Sequence, residues 1–248
     1  MKITISTPQG ATLYEGEAHD LREAIERAVD DRVPLPRASF AGADLSGTSF
    51  EGANLEGADF SGARLDGSSF EDAKLDRAKF DGASIRGANF ENASLVGASL
   101  AGASVASSNL ERANLEGVDM EGADASRANL ERSRLVRAKA HGASFRAANV
   151  EKCDMREGDF GDADFSSANL ERCDARNARM RHANLSGANV ERSDLREADL
   201  TDADLSEANL ERCKVEGASF EGAKLAGANL EDLEGTFKSS RGMRPYRS

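Results

Sequence analysis

The run FAGADLSGTSFEGANLEGADF, residues 40–60, decides the fold. Its large apolar residues fall at Phe40, Leu45, Phe50, Leu55 and Phe60, one every fifth place. Outward from there the spacing holds without a miss to Leu230. Those 39 positions comprise 18 Leu, 10 Phe, four Val, three Met, three Ala and one Ile. Two places before each stands a small residue, Ala in 29 of the 39 and otherwise Ser, Cys, Gly, Thr or Val. The unit reads A-(D/N/S)-(L/F)-x-x. An amphipathic helix repeats at 3.6 and a half-buried strand at 2, so neither produces a strict five. The 17 Gly at the last place of the pentads would each cost a helix about 1 kcal/mol relative to Ala.

A five-residue unit with two inward positions describes one side of a coil that turns a corner after each unit. A slower period counts the sides. Glu follows the apolar residue at 51, 71, 91, 111, 131, 151, 171, 191, 211 and 231, and Asn precedes it at 89, 109, 129, 149, 169, 189, 209 and 229. Four pentads per twenty residues predict a four-sided coil whose like sides stack at about 4.8 Å. Phe and Leu alternate from Phe40 to Phe80, which places Phe on two opposite sides. Ala125, Ala140 and Ala175 are thin spots in the core. Met120, Met155 and Met180 are read as filling irregular gaps beside them.

The pattern resembles the pentapeptide-repeat family, whose members fold as right-handed quadrilateral β-helices. The match covers residues 38–232 without an insertion. It implies an all-β chain, a right-handed quadrilateral parallel β-helix (solenoid) of about ten coils. Open solenoid ends need covers. Residues 1–37 are read as an N-terminal capping segment, with strands over Lys2–Ser6 and Thr12–Gly16 around the turn Pro8-Gln9-Gly10. A helix follows, opened by a capping box of Asp20 and Glu23, with Leu21, Ala24, Ile25, Ala28 and Val29 on its apolar face. Pro34 and Pro36 are expected to stop it. Residues 233–248 are read as a C-terminal cap, with Leu233 and Phe237 over the last coil. A flexible basic tail then carries Lys238, Arg241, Arg244 and Arg247.

Composition narrows the function classes. The 248 residues hold 32 Lys+Arg against 44 Asp+Glu, a net charge of −12, with 39% hydrophobic and 5% aromatic residues. That is thin for a globular core, yet too apolar for an acidic disordered chain. No run of about 18 apolar residues offers a membrane span. The opening MKITISTPQGATLY has no apolar signal region, so a cytoplasmic location is expected. Three Cys without a CxxC argue against a disulfide framework or a zinc finger. Cys153, Cys173 and Cys213 share one inward column and are read as small hydrophobes replacing Ala. His19, His141 and His182 are scattered, and the glycine-rich runs lack a phosphate-loop context. No catalytic residue, metal ligand or cofactor site is assigned, and the chain is read as non-enzymatic.

Chemistry is therefore left to the outer surface. Residues 38–232 carry 36 acids and 23 bases, net −13. Most of the excess lies on the Glu-bearing side and the side opposite. Ten stacked Glu would repel at about 0.9 kcal/mol per neighbouring pair even in water. Arg112, Arg132, Lys152, Arg172, Arg192 and Arg212 answer, each directly after its Glu. Glu51, Glu71, Asp72 and Glu91 lack such a follower and form the candidate stripe in the first coils. Asp119, Glu121, Asp159, Asp162, Asp199 and Asp202 are the candidates on the opposite side.

The leading expectation is a rigid scaffold that binds a protein partner through these acidic faces. The alternative comes from the resemblance: some members of the family bind DNA gyrase as mimics of duplex DNA and protect it from quinolones or peptide toxins. Direct nucleic-acid binding by the acidic solenoid is not expected. A homodimer through the C-terminal coil remains open.

Overall fold

The structure, a computed structural model, describes residues 1–239. From Ser39 onward the backbone pairs in parallel with the residue twenty places ahead: Ser39 with Asp59, Asp44 with Arg64, Ser49 with Ser69, and so on to Lys214 with Glu234. Each turn of the coil therefore holds four pentads. Phe40 N–H donates to the Asp59 carbonyl at 2.7 Å, Gly42 N–H to Ser61 at 2.9 Å, and Asp59 N–H to Ala38 at 2.9 Å. Within the pentad, Ala43 N–H returns to the Phe40 carbonyl at 3.1 Å and closes the corner. That bond, with positive φ at the second corner residue, is a type II turn. All 39 such places from Gly42 to Asp232 lie in the left-handed region, 17 occupied by Gly and 22 by other residues. A side chain there costs roughly 1 kcal/mol, so Gly is favoured and the inter-coil bonds hold the others in place.

The polar residue before each apolar one has a task the five-period does not reveal. Where it is Asp or Asn, its side-chain oxygen accepts the N–H of the first corner residue, as with Ser61 N–H to Asp59 Oδ1 at 3.0 Å, Glu91 to Asn89 at 3.1 Å and Ser166 to Asp164 at 2.9 Å. These Asx turns satisfy a donor that the coil geometry leaves over, which accounts for Asp and Asn at this place. On the Glu-bearing side the Asn side chains also bond one another. Asn109 Nδ2 donates to Asn89 Oδ1 at 3.1 Å, Asn149 to Asn129 at 3.0 Å, and the ladder runs unbroken to Asn229 on Asn209 at 3.0 Å.

Inside, the alternating Phe form the two columns the spacing predicts. Phe50 stacks on Phe70 with ring centroids 4.7 Å apart, and Phe60 on Phe80 at 4.9 Å. Across the axis Phe50 meets Phe60 edge-on at 5.6 Å. The thin spots are buried as well: Ala125, Ala140 and Ala175 share the core with Met120, Met155 and Met180. Phe160 stands in its column between Ala140 and Met180, without a stacked ring on either side. It leans over Gly158, where an added Cβ would overlap the ring. Inward hydroxyls donate to a corner carbonyl of the preceding coil, as Ser68 Oγ does to Leu45 at 2.9 Å and Ser108 Oγ to Ile85 at 2.7 Å. Thr48 occupies the same column in the first coil, below which lies a helix instead of a coil. Its Oγ1 is buried with no partner.

That helix belongs to the N-terminal segment. Strands β1 (Lys2–Ser6) and β2 (Thr12–Glu17) pair antiparallel, and helix α1 spans Leu21–Asp30. Asp20 Oδ1 accepts Glu23 N–H at 2.9 Å, while Glu23 Oε2 accepts His19 N–H at 2.7 Å, one residue outside the expected capping box. Ala24, Ile25 and Ala28 are buried, and Leu21 and Val29 pack partly against the core. The prolines are not what ends the helix. It stops earlier, where Arg32 turns left-handed (φ 56°) and Val33 N–H reaches back to Ala28 at 2.8 Å. Ser39 N–H donates to the Ser6 carbonyl at 2.9 Å and Ser49 N–H to Glu26 Oε1 at 3.4 Å, so the segment satisfies donors of the first coil. Coil geometry begins one pentad before the sequence pattern, since Leu35 N–H already donates to Asn54 at 2.8 Å.

At the other end the backbone outlasts the apolar pattern. Strand β3 (Ser219–Phe220) pairs in parallel with β4 (Lys238–Ser239), a step of nineteen instead of twenty. That one-residue shortening brings Phe237 to the inward place, 5.1 Å from the Phe220 ring. Lys238 is therefore in a paired strand and not in a flexible tail. Arg241, Arg244 and Arg247 lie outside the described residues.

Three substitutions test this account. Gly158→Ala forces the Phe160 ring out of place, with an expected loss of about 1–3 kcal/mol, read as a lower urea midpoint. Thr48→Val removes a buried unpaired hydroxyl at nearly constant volume and is expected to stabilise by about 1 kcal/mol; a loss of stability would contradict the assignment. Asn149→Ala interrupts the amide ladder between Asn129 and Asn169 and is expected to cost about 1–2 kcal/mol in the same titration.

Candidate protein-interaction surface

The corner geometry fixes where each charged side chain emerges. A residue at the first or second corner place projects outward, and its neighbour twenty residues on lies directly above. Like residues therefore form columns along the rod. On the Glu-bearing side the cations do not simply pair with the Glu before them. Arg112 Nη1 lies 3.2 Å from Glu111 Oε1 and 3.3 Å from Glu91 Oε1, one coil earlier. Lys152 Nζ lies 2.6 Å from Glu151 Oε1 and 3.5 Å from Glu131 Oε1. Arg192 similarly spans Glu191 at 3.3 Å and Glu171 at 3.9 Å. The cations thus bridge successive coils as a zipper, with their heads outside half-buried carboxylates. The hydrogen bond and charge of Lys152 hold the Glu151 carboxyl below its usual range.

This geometry corrects one of the four residues expected to stand unpaired on that side. Glu91 is taken up by Arg112, because a corner side chain reaches backward along the rod as easily as across its own pentad. Glu51 and Asp72 are exposed and Glu71 half-buried, and among the described residues none of the three has an ion-pair partner. Glu71 Oε2 accepts only the Asn89 amide at 2.9 Å. Glu51 borders a hollow of about 310 Å³ beneath the end of α1, lined also by Arg32, Pro34 and Asn54. Glu26 of α1 meets the first coil at Ser49 and adds a carboxylate near Glu51. The five-period carried no signal for it, since it sits on a helix.

The candidates of the opposite side do not join this stripe, and they are less free. Asp159 lies 3.4 Å from Arg179, Asp199 lies 3.3 Å from Arg181, and Asp162 lies 3.3 Å from the exposed His141 imidazole. The Asp202 carboxylate extends over Gly222. Asp119 accepts the Glu121 N–H at 3.1 Å in an Asx turn, and neither has an ion-pair partner among the described residues. Burial opposes ionisation of Asp199, but hydrogen bonds from Thr201 and Arg181 outweigh it and leave its carboxyl below the usual range.

A third charged surface is signalled by the sequence through a different repeat. D-x-R recurs at 154–156, 174–176 and 194–196, with a spacing of twenty. Each Arg grips its own Asp with two bonds: Arg156 Nε to Asp154 Oδ1 at 2.7 Å and Nη2 to Oδ2 at 2.6 Å, and likewise Arg176 on Asp174 and Arg196 on Asp194. Burial works against ionisation of Asp154 and Asp194, yet the side-chain and backbone hydrogen bonds of the following Arg carry both below the usual aspartate range. These clamps neutralise their side of the rod locally.

Buried chemistry is confined to the thiols. The Sγ of Cys153, Cys173 and Cys213 donate to the carbonyls of Leu130, Val150 and Val190 at 2.8, 2.9 and 3.0 Å. Burial pushes the Cys213 thiol up to about 12 and Cys173 well above its ordinary value, so neither is a nucleophile near neutrality. Among the described residues no group of three or more His, Cys, Asp or Glu is arranged to hold a metal ion. None of their helices is long and apolar enough to cross a membrane.

Known proteins agree with this geometry. The profile for a pentapeptide repeat region matches residues 33–110, and the profile for pentapeptide repeats in eight copies matches 93–132, 126–162, 163–202 and 203–233. Comparison with curated proteins gave no match. Among solved structures, HetL is 27% identical over 85% of this chain and 93% of its own, with a TM-score of 0.49. It is a pentapeptide repeat protein involved in heterocyst differentiation regulation, from the cyanobacterium Nostoc sp. strain PCC 7120. Full-length QnrB1, a plasmid-mediated fluoroquinolone resistance protein, is 19% identical over 82% of this chain and 92% of its own, with a TM-score of 0.53. That likeness bears on the fold alone, a right-handed β-helix solenoid. With both profiles running end to end along the hydrogen-bonded coil, the chain belongs to the pentapeptide-repeat family.

Proposed function

We propose that the protein is a non-enzymatic, rigid interaction scaffold that binds a protein partner through its outer, net acidic faces. The observation that carries this reading is the set of exposed or half-buried carboxylates Glu51, Glu71 and Asp72, without an ion-pair partner among the described residues, on a rod whose Glu column is bridged further along by Arg and Lys. Unpaired charge at one end of a stiff surface steers a basic partner to that end. Asp119, Glu121 and Asp202 on the opposite side make a second, weaker patch. Self-association would use the C-terminal coil, where Leu225, Ala228 and Leu230 are only half-buried beside a hollow of about 420 Å³.

A second reading rests on the same carboxylates: the rod stands in for duplex DNA on DNA gyrase. About ten coils at about 4.8 Å make a rod of roughly 47 Å. Duplex of that length carries roughly 28 charges, against a net −13 over residues 38–232. That is about half the charge density of the duplex, so the broader scaffold reading leads.

One pair of measurements separates the two. A DNA mimic inhibits gyrase supercoiling at micromolar protein and low salt, and loses the effect steeply as salt rises; no inhibition there removes that reading. For the scaffold, a partner captured from a native cell extract is expected to bind at least about tenfold more weakly to the variant Glu51→Gln, Glu71→Gln, Asp72→Asn. Unchanged affinity would show that the acidic stripe is not the contact surface.

A further inference from the structure

One inward column holds Ser133, Cys153, Cys173, Ser193 and Cys213, one residue per coil. Cys153 and Cys173 are its only consecutive thiols. The coils that bear them are locked in register: Asp154 pairs in parallel with Asp174, and Asp174 N–H donates to the Cys153 carbonyl at 2.9 Å. Both side chains point to the axis from neighbouring strands. The strand spacing of about 4.8 Å lies inside the Cα separation that a disulfide accepts, about 4.4–6.8 Å. Side chains in this column touch from coil to coil. Ser133 Oγ lies 3.3 Å from Cys153 Sγ, and Ser193 Oγ accepts the Cys173 N–H at 2.9 Å. Cys213 has Ser193 below it and so lacks a thiol at the same separation.

We propose that Cys153 and Cys173 form an oxidisable dithiol whose disulfide clips one full turn of the coil, a modification site inside the rod. With an azo oxidant such as diamide, one thiolate adds across the N=N bond and the second attacks the resulting S–N sulfur. The S–N bond breaks, an S–S bond forms, and the azo compound leaves as the hydrazine, having taken two electrons and two protons. Both thiols are buried and shielded from reagents, so oxidation proceeds at the rate at which the coil opens locally. The closed loop holds twenty residues, enough to restrict the opened state strongly.

The test uses the full chain treated with diamide at a urea concentration below the unfolding transition, then alkylated after denaturation and mapped by mass. The expected product has lost two hydrogens, keeps only Cys213 alkylatable, and yields a Cys153–Cys173 cross-linked peptide. Cys213→Ala is expected to oxidise equally well, and Cys153→Ala or Cys173→Ala not at all. Ala fills most of the small inward places in this chain, so these variants keep the coil. In the oxidised chain, amide exchange across residues 153–174 should slow by about a hundredfold. Three alkylatable thiols after oxidation, a bridge that uses Cys213, or a bridge between two chains would overturn the proposal.

Discussion

The structure depends on the parallel backbone bonds between coils, repeated every twenty residues from Ser39 to Glu234. They can form only if the chain turns a corner after every fifth residue. The corner requires one residue in the left-handed region, and thirty-nine successive places accept it. Where Gly is absent, the strain at places such as Ala147 and Glu157 is offset by the bonds on either side: Ala147 N–H to Ser166 at 2.9 Å and Glu157 N–H to Arg176 at 3.1 Å. Cooperation between neighbours, more than local preference, keeps the corners in place, as expected for a solenoid stabilised by nearest-neighbour contacts.

Everything else is arranged around that frame. Two inward places per pentad leave room for one small and one large side chain, which is why Ala and Leu or Phe alternate with so little tolerance. Asx turns absorb the remaining corner donor, and the Asn ladder adds a second line of bonds along one side. The ends differ in kind. The N-terminal hairpin and helix satisfy first-coil donors through Ser6 and Glu26, whereas the C-terminal coil leaves Leu225 and Leu230 half-buried. Among the described residues, the rod is covered at its N-terminal end and leaves half-buried apolar side chains at the other.

Electrostatics follow the same axial logic. Because equivalent places stack, a cation at one corner meets carboxylates of two coils, and like charges become tolerable when interleaved. Four of the six cations that follow a Glu, Arg112, Arg132, Lys152 and Arg192, bridge to the Glu of the preceding coil and turn the column into a zipper, and three D-x-R clamps neutralise the adjacent side. The earliest coils have no such cations on the Glu-bearing side, so the net charge of the molecule is not spread evenly. On the Glu-bearing side, the carboxylates without an ion-pair partner nearest the helix-bearing end are Glu51, Glu71 and Asp72.

Much of this was legible in the order of residues. A strict five-period forced a four-sided coil, the twenty-period set its register, and the alternation of Phe and Leu located the stacked rings. These features were readable because inward places obey local repetition with no contribution from distant chain. Tertiary structure alone decided the rest: that Arg112 takes up Glu91, that Glu26 joins the first coil, that Arg32 ends the helix before the prolines, and that Phe237 reaches the core through a step of nineteen. Each of these joins residues whose separation is set by stacking or by the docking of a cap. A one-dimensional pattern records which side chains face outward, whereas the distances between them along the axis exist only once the coils are closed.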